Sequence, residues 1–262
     1  MQLSAPLGAL PPAGDVATAL RVAATRLGHR PAVTMLRPDR RDEQGFASLA
    51  QWAAKGAHLL TLEAHLEPGD RLHIAMPVGW MAAAVCLAAW WLGVTVTVGP
   101  RVDGQGNSVD GRGNSVDGRG NRVEDRGGDA DVAVVHESWQ PPPGVSEVYA
   151  VGDAMDGTPL GPVDAEAWAL AVQAFPDQPP SSRAEPDSVA VEFDGGTTWT
   201  QAELLQEAGR WGFEGALGVT VEKPPQAWLP ALARPLLVGR PTVVLAGVPR
   251  ELADAEGVGV WA

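Results

Sequence analysis

A single cysteine, Cys86, stands among 262 residues, so no intrachain disulfide can form. It sits in an apolar run, where a small buried hydrophobe is expected rather than a nucleophile. Without a disulfide framework, a reducing, cytoplasmic compartment is the default expectation. Basic residues are also scarce, 19 against 32 acidic ones, for a net charge of -13. Phosphate binding needs clustered Lys and Arg, so a nucleic-acid partner is not expected. The opening MQLSAPLGALPPAG has neither a basic start nor a long apolar run, so no signal peptide is predicted. His29, His58, His65, His73 and His136 lack metal-ligand spacing, and no metal is assigned. GxGxxG is absent as well. Asp153 and Asp156 make a loop pair with no partner base in view, and no catalytic residue is assigned.

The most ordered stretch is 68–99, PGDRLHIAMPVGWMAAAVCLAAWWLGVTVTVG. Pro68-Gly69-Asp70 reads as a turn, since proline presets φ and glycine accepts positive φ. Residues 72–76 make a short strand that stops at Pro77. Residues 80–92 carry no charge and are rich in alanine, a helix that Gly93 ends. Val94, Val96 and Val98 then alternate with threonines as a strand. This is a β-α-β unit, suited to a parallel sheet flanked by helices. The uncharged length of 78–99 would also suit a membrane span. Pro77, Gly93 and the β-branched tail oppose that, and no membrane partner is expected.

Before this unit, 15–27 reads as a helix, 31–36 as a strand and 38–45 as a charged hairpin-like loop. Ser48-Leu49-Ala50-Gln51 fits a capping box opening a second helix, which runs to about Leu66 with His58 and His65 on it. From Val102 the tandem heptads VDGQGNS, VDGRGNS and VDGRGNR cannot bury enough apolar area to offset ordering. Their five basic and five acidic charges over 101–128 cancel, and the arginines oppose a calcium site. A disordered insertion at 101–130 is predicted, separating a first α/β lobe at 13–100 from a second at 131–262. In the second lobe, 131–135 and 148–151 read as strands, Asp164 as the cap of a helix through Phe175, and 176–186 as a linker. The tryptophans at helical positions are assigned to the core.

Residues 187–262 echo 31–99. VAVEF and TWTQAELLQEAGRW parallel PAVTML and FASLAQWAAKGAHLL; GVTVEKP, Trp228, Gly239 and PTVVLAG parallel LHIAMP, Trp80, Gly93 and VTVTV. Duplication and convergent βαβ composition both remain open as explanations. The fold class is α/β, with two similar βαβ-containing lobes, mainly parallel sheets and flanking helices.

Arg30-Pro31-Ala32-Val33, Phe46-Ala47-Ser48-Leu49, Pro68-Gly69-Asp70-Arg71, Met76-Pro77 and the alanine-rich helix ending at Gly93 carry a family likeness. They resemble the N-terminal part of the adenylate-forming, AMP-binding enzymes: acyl- and aryl-CoA ligases, adenylation domains and luciferases. The likeness covers 13–100 and, more loosely, 131–262. More narrowly, it is to short AMP-binding-like proteins that stop well before the full ligase length. It implies a phosphate loop of the type T-S-G-T-T-G-x-P-K-G, whose small residues let amides wrap phosphate oxygens while a lysine neutralises charge. The matching segment is 194–203, DGGTTWTQAE, with Gly195, Gly196, Thr197 and Thr198 as the cofactor-binding candidates. There the family's next glycine is Trp199, its lysine Ala202 and its last glycine Glu203. A turn at Asp194-Gly195-Gly196, followed by a Thr200–Glu203 capping box opening a helix to Trp211, accounts for the same residues. The family's ribose-binding Asp, hinge and adenylation Lys belong to motifs beyond the matched length. The resemblance therefore implies a truncated, degenerate adenylate-forming-like domain, an interaction module for a protein partner or a small acyl or nucleotide ligand. No cofactor is expected on that reading, and ATP with Mg²⁺ on the alternative of a ligase fragment that still binds nucleotide.

Overall fold

The computed structural model describes residues 10–98, 101–102, 108–109, 132–141, 144–212 and 214–262. Helix α1 (Val16–Leu27) is capped by Asp15, whose carboxylate accepts the Thr18 N–H at 2.7 Å. Strands β1 (Pro31–Leu36) and β2 (Arg41–Gly45) form a hairpin that feeds α2 (Phe46–Leu62). Strand β3 (Arg71–Ala75), helix α3 (Trp80–Leu92) and strand β4 (Thr95–Val98) are the β-α-β unit expected at 68–99. Short strands β5 (Arg101–Val102) and β6 (Ser108–Val109) pair with each other; the remainder of the heptad tract lies outside the described residues. Then come β7 (Val132–His136), β8 (Glu147–Val151), β9 (Glu166–Ala167) and α4 (Trp168–Ala171). A second hairpin of β10 (Val189–Phe193) and β11 (Thr198–Thr200) feeds α5 (Gln201–Gly209). A second β-α-β unit follows: β12 (Ala216–Thr220), α6 (Pro225–Ala233), α7 (Pro235–Val238) and β13 (Thr242–Leu245), with β14 (Val258–Trp261) after it.

The sheets cross-connect the two halves. One runs β14-β12-β13-β1-β2, the other β11-β10-β4-β3-β7-β8-β9. Each β-α-β unit thus receives the hairpin of the other half: β1 lies parallel to β13, and β10 parallel to β4. The stretches 13–100 and 131–262 share both sheets. One hydrophobic core joins Val33, Leu72, Val96, Val191, Val219 and Val244, with strands from both halves contributing. The expected α/β architecture, mainly parallel with two similar β-α-β units and flanking helices, is what the chain forms.

Every residue of α3 is buried, which is why its sequence is apolar on all sides. It packs against α2, and Gly56 of α2 permits the approach, since a Cβ there would come within 2.9 Å of Ala88 and 2.8 Å of Trp168. Among the described residues no helix is long and apolar enough to cross a membrane. Cys86 is fully buried in α3, and burial pushes its thiol pKa far up, as expected of an inert core residue.

Several local expectations are corrected. Helix α2 starts at Phe46, not Ser48, because the Phe46 and Ala47 N–H groups donate to the Arg30 and Gly28 carbonyls and need no side-chain cap. Ser48 Oγ instead donates to Gln44 Oε1 at 2.5 Å. That helix stops at Leu62, so His65 lies beyond it in a left-handed conformation and is not on a shared helical face with His58. No long helix follows Asp164: Glu166 and Ala167 pair with β8, leaving only α4 and a 3₁₀ turn before Pro176. Helix α5 ends at Gly209, short of Trp211.

Arg41 of β2 reaches a 3₁₀ segment (Arg250–Glu256), donating to both Glu256 carboxylate oxygens at 2.7 and 2.9 Å. This pairing holds the Glu256 carboxyl below its ordinary pKa, against the opposing effect of burial. A depressed folded pKa gives stability that is present above the unfolded value, about 4.3. It is lost as pH falls through the lower folded value. Because Arg41 is half-exposed, Glu256→Gln should cost about 1 kcal/mol or less at neutral pH. The gap from wild type should close below pH ~4. Urea unfolding of both proteins across that range checks this, and a gap that does not narrow in acid rejects it.

Candidate functional site

Gly195, Gly196, Thr197 and Thr198 lie in and just after the reversal between β10 and β11, and all four are exposed. The reversal is tight. Phe193 N–H donates to the Thr197 carbonyl at 2.8 Å, and Gly196 N–H to the Phe193 carbonyl at 3.0 Å. Gly195 and Gly196 both take positive φ, 88° and 79°, which is why this turn needs glycine. An added Cβ at either would meet nothing within 4 Å, so the turn points into open space.

The residues just after it are committed to the fold. The Trp199 ring packs edge-on against Phe193, with centroids 4.7 Å apart. Glu203 Oε2 accepts the Thr200 N–H at 2.8 Å while Thr200 Oγ1 accepts the Glu203 N–H at 3.2 Å, the expected capping box.

A second group of polar side chains, scattered in sequence, meets at the carboxyl ends of β3, β7 and β8. That is the edge where α/β sheets place ligand sites. A crevice there, with about 30 Å³ of room, is lined by Met35, Arg37, Arg40, Asp42, Trp80, His136 and Asp153 among others. The parallel register sets His136 opposite Val151, so the residues just past each strand, Glu137 and Asp153, become neighbours. Arg37 Nη1 donates to Asp153 Oδ1 at 2.6 Å, Arg40 Nη2 to the Asp153 carbonyl at 2.6 Å, and Arg40 Nε to Asp42 Oδ2 at 2.9 Å.

Glu137 holds the following loop in place. Its Oε1 accepts the Asp153 N–H at 3.1 Å, and its Oε2 those of Leu160 and Gly161 at 2.7 and 3.2 Å. Gly152 makes that closure possible, since a Cβ there would sit 2.4 Å from Pro159 Cα and 2.5 Å from the Thr158 carbonyl. His136 Nδ1 is 2.7 Å from Ser138 Oγ. His136 Nε2 is buried without a hydrogen-bond partner, 3.6 Å from Asp153 Oδ2. Burial holds the His136 imidazole below its ordinary pKa despite the pull of Asp153 and Glu137, so the ring is neutral at pH 7. Burial acts to raise Asp153, but the hydrogen bond and charge of Arg37 prevail and keep it low.

Sequence reading named Asp153 and Asp156 as a pair and gave His136 no partner. The structure separates that pair by function: Asp156 caps Thr158, whereas Asp153 joins His136, Glu137 and Arg37. Polar residues at or within two positions of the carboxyl ends of two apolar strands, His136 and Glu137 after 132–135 and Asp153 after 148–151, are the signal that could have found them.

No family model matches the chain. A curated protein of Mycobacterium tuberculosis is 42% identical over 53 residues, 20% of this chain and 22% of that protein. Solved structures align far more broadly. A long-chain-fatty-acid-CoA ligase from Archaeoglobus fulgidus superposes with a TM-score of 0.67 at 13% identity, over 98% of this chain and 52% of its own. An acyl-CoA synthetase from Brucella canis gives 0.66 at 17%, over 94% and 46%. The N-terminal domain of FACL13 from M. tuberculosis gives 0.63 at 15%, over 92% and 59%. The fold is that of the N-terminal domain of adenylate-forming acyl-CoA ligases. The chain spans about half the length of the full-length ligases it superposes on, and about a fifth of the curated relative.

Proposed function

We propose that this chain is a degenerate AMP-binding-type scaffold that does not adenylate by itself and serves as a binding or interaction module. Its ligand would be a protein partner or a small acyl or nucleotide compound. The observation that carries the reading is the β10–β11 reversal. The turn closes through two backbone hydrogen bonds, Phe193 N–H to the Thr197 carbonyl and Gly196 N–H to the Phe193 carbonyl, so the Gly196 amide is turned inward and is not part of an open nest for phosphate. No lysine lies in 194–203, Trp199 is packed on Phe193, and the Glu203 carboxylate is spent on a helix cap. We infer that the residues present do not fit a triphosphate.

ATP–pyrophosphate exchange by the purified chain, over a panel of aliphatic and aromatic carboxylic acids, is expected to stay at the no-enzyme background. Exchange above background with any acid overturns the reading. The alternative, a ligase fragment that still binds ATP at Gly195, Gly196, Thr197 and Thr198, draws on the openness of the two glycines. Calorimetry with millimolar ATP and Mg²⁺ separates the two. Heat that vanishes in a Gly195→Val, Gly196→Val variant favours the alternative, and no heat from wild type rejects it.

A further inference from the structure

Beyond the proposed module role, and independent of it, we propose that His136, Glu137 and Asp153 bind a divalent transition-metal ion of the Zn²⁺ class at the mouth of the β7–β8 crevice. One ligand atom from each residue, an imidazole nitrogen and two carboxylate oxygens, already lies within 4.8 Å of the others. Ligands of a tetrahedral Zn²⁺ at about 2.0–2.2 Å stand roughly 3.3–3.6 Å apart. The 3.6 Å between His136 Nε2 and Asp153 Oδ2 is at that spacing before any adjustment. It is also too long for a good hydrogen bond, and Nε2 has no other partner although it is buried. A buried imidazole nitrogen left unpaired needs an explanation, and a cation supplies one.

The remaining coordination capacity fits. Arg37 occupies Asp153 Oδ1 and leaves Oδ2 available. Glu137 Oε1 accepts one N–H in the structure, while a carboxylate oxygen offers two lone pairs. Metal on Nε2 requires the ring's proton on Nδ1, where it would donate to Ser138 Oγ at 2.7 Å and displace the longer 3.3 Å approach of the Ser138 N–H, the kind of outer contact that orients metal-bound histidines. Charge also allows it. The guanidiniums of Arg37 and Arg40 pair with Asp42 and Asp153, and Glu137 adds a third carboxylate bound only by backbone N–H groups, so the crevice keeps a negative excess. A nitrogen ligand in a set of three favours a borderline ion over Ca²⁺ or Mg²⁺, which take six or more oxygens. The adjoining crevice, with about 30 Å³ of room, leaves a fourth position for water or a small anionic ligand.

The experiment is titration of the tag-free full chain with Zn²⁺, followed by calorimetry and equilibrium dialysis, and with Co²⁺, followed by visible absorption. Wild type is expected to bind one equivalent, with Co²⁺ giving the d–d bands of four- or five-coordination. His136→Gln and Asp153→Asn should each weaken binding at least about tenfold. His58→Gln and His65→Gln, on other parts of the surface, should bind as wild type. Absence of Zn²⁺ binding, or unchanged binding in the Asp153→Asn protein, overturns the proposal. Should His136→Gln fail to fold, Asp153→Asn and the Co²⁺ spectrum decide alone, and a spectrum of hexaaquo type counts against it.

Discussion

Replacing Trp90 by alanine is expected to cost about 3–5 kcal/mol of unfolding free energy, enough to unfold much of a domain of ordinary stability at 37 °C. Trp90 is among the largest side chains of the core and fully buried in α3. Removing the indole takes away its apolar area and leaves a cavity that α2, α3 and β10 fill poorly, since each is fixed by its own backbone pairing. A second loss is polar. Trp90 Nε1 donates to the Ala190 carbonyl of β10 at 2.9 Å, tying the helix of the first β-α-β unit to the hairpin contributed by the other half. Trp90→Phe separates the two effects. It keeps most of the volume but strands that carbonyl, and should cost about 1–3 kcal/mol. Urea unfolding gives both numbers, and an alanine variant within about 1 kcal/mol of wild type would mean that the site collapses freely or that the packing differs.

The distribution of what could be read from sequence follows from which interactions are local. The unit at 68–99 was legible because its signals all act within a few residues: a proline-glycine turn, an uncharged alanine-rich helix, a glycine stop and alternating valines. The same holds for the 194–203 segment, where a double glycine and a Thr-x-x-Glu box specify a turn and a helix start. The start of α2 was misplaced because its amides are satisfied by the Gly28 and Arg30 carbonyls, partners that no local pattern at Ser48 encodes. Strand order is further out of reach. Periodicity says that Val33 and Val243 each belong to a buried strand, but not that β1 lies beside β13 some 200 residues later. The echo between 31–99 and 187–262 showed two similar units without showing that they exchange hairpins. The crevice depends on that order as well: His136 and Asp153 meet only once β7 and β8 are known to be parallel neighbours in register, and Arg37 only once the end of β1, a strand of the other sheet, is brought to theirs.

Gln201→Leu tests the exchange of hairpins most directly, and is expected to destabilise the chain by roughly 1–3 kcal/mol. Read locally, Gln201 is the first residue of an amphipathic helix on a capping box, a position where a polar side chain faces water. In the structure it is fully buried. Its Oε1 accepts the Val16 N–H at 3.0 Å, one of the orphan donors at the start of α1. Its Nε2 donates to the Trp90 carbonyl at 2.9 Å, near the end of α3. One side chain from the second hairpin's helix therefore satisfies the ends of two helices from the first half. Leucine has nearly the right volume, so the cavity cost is small. What it removes is the partner of the buried Val16 N–H, worth about 1–3 kcal/mol when left unpaired, while the Trp90 carbonyl loses one of two donors and keeps the Gly93 N–H at 3.2 Å. Glutamate in its place could still accept from Val16, but would set a carboxylate against the Trp90 carbonyl and should be at least as damaging as leucine. Hydrogen exchange gives the local readout: the early amides of α1 and of α5 should lose protection together in Gln201→Leu, although 185 residues separate Val16 from Gln201. Loss of protection in α5 alone would mean that Gln201 serves only its own helix and that the two halves are held together by apolar packing.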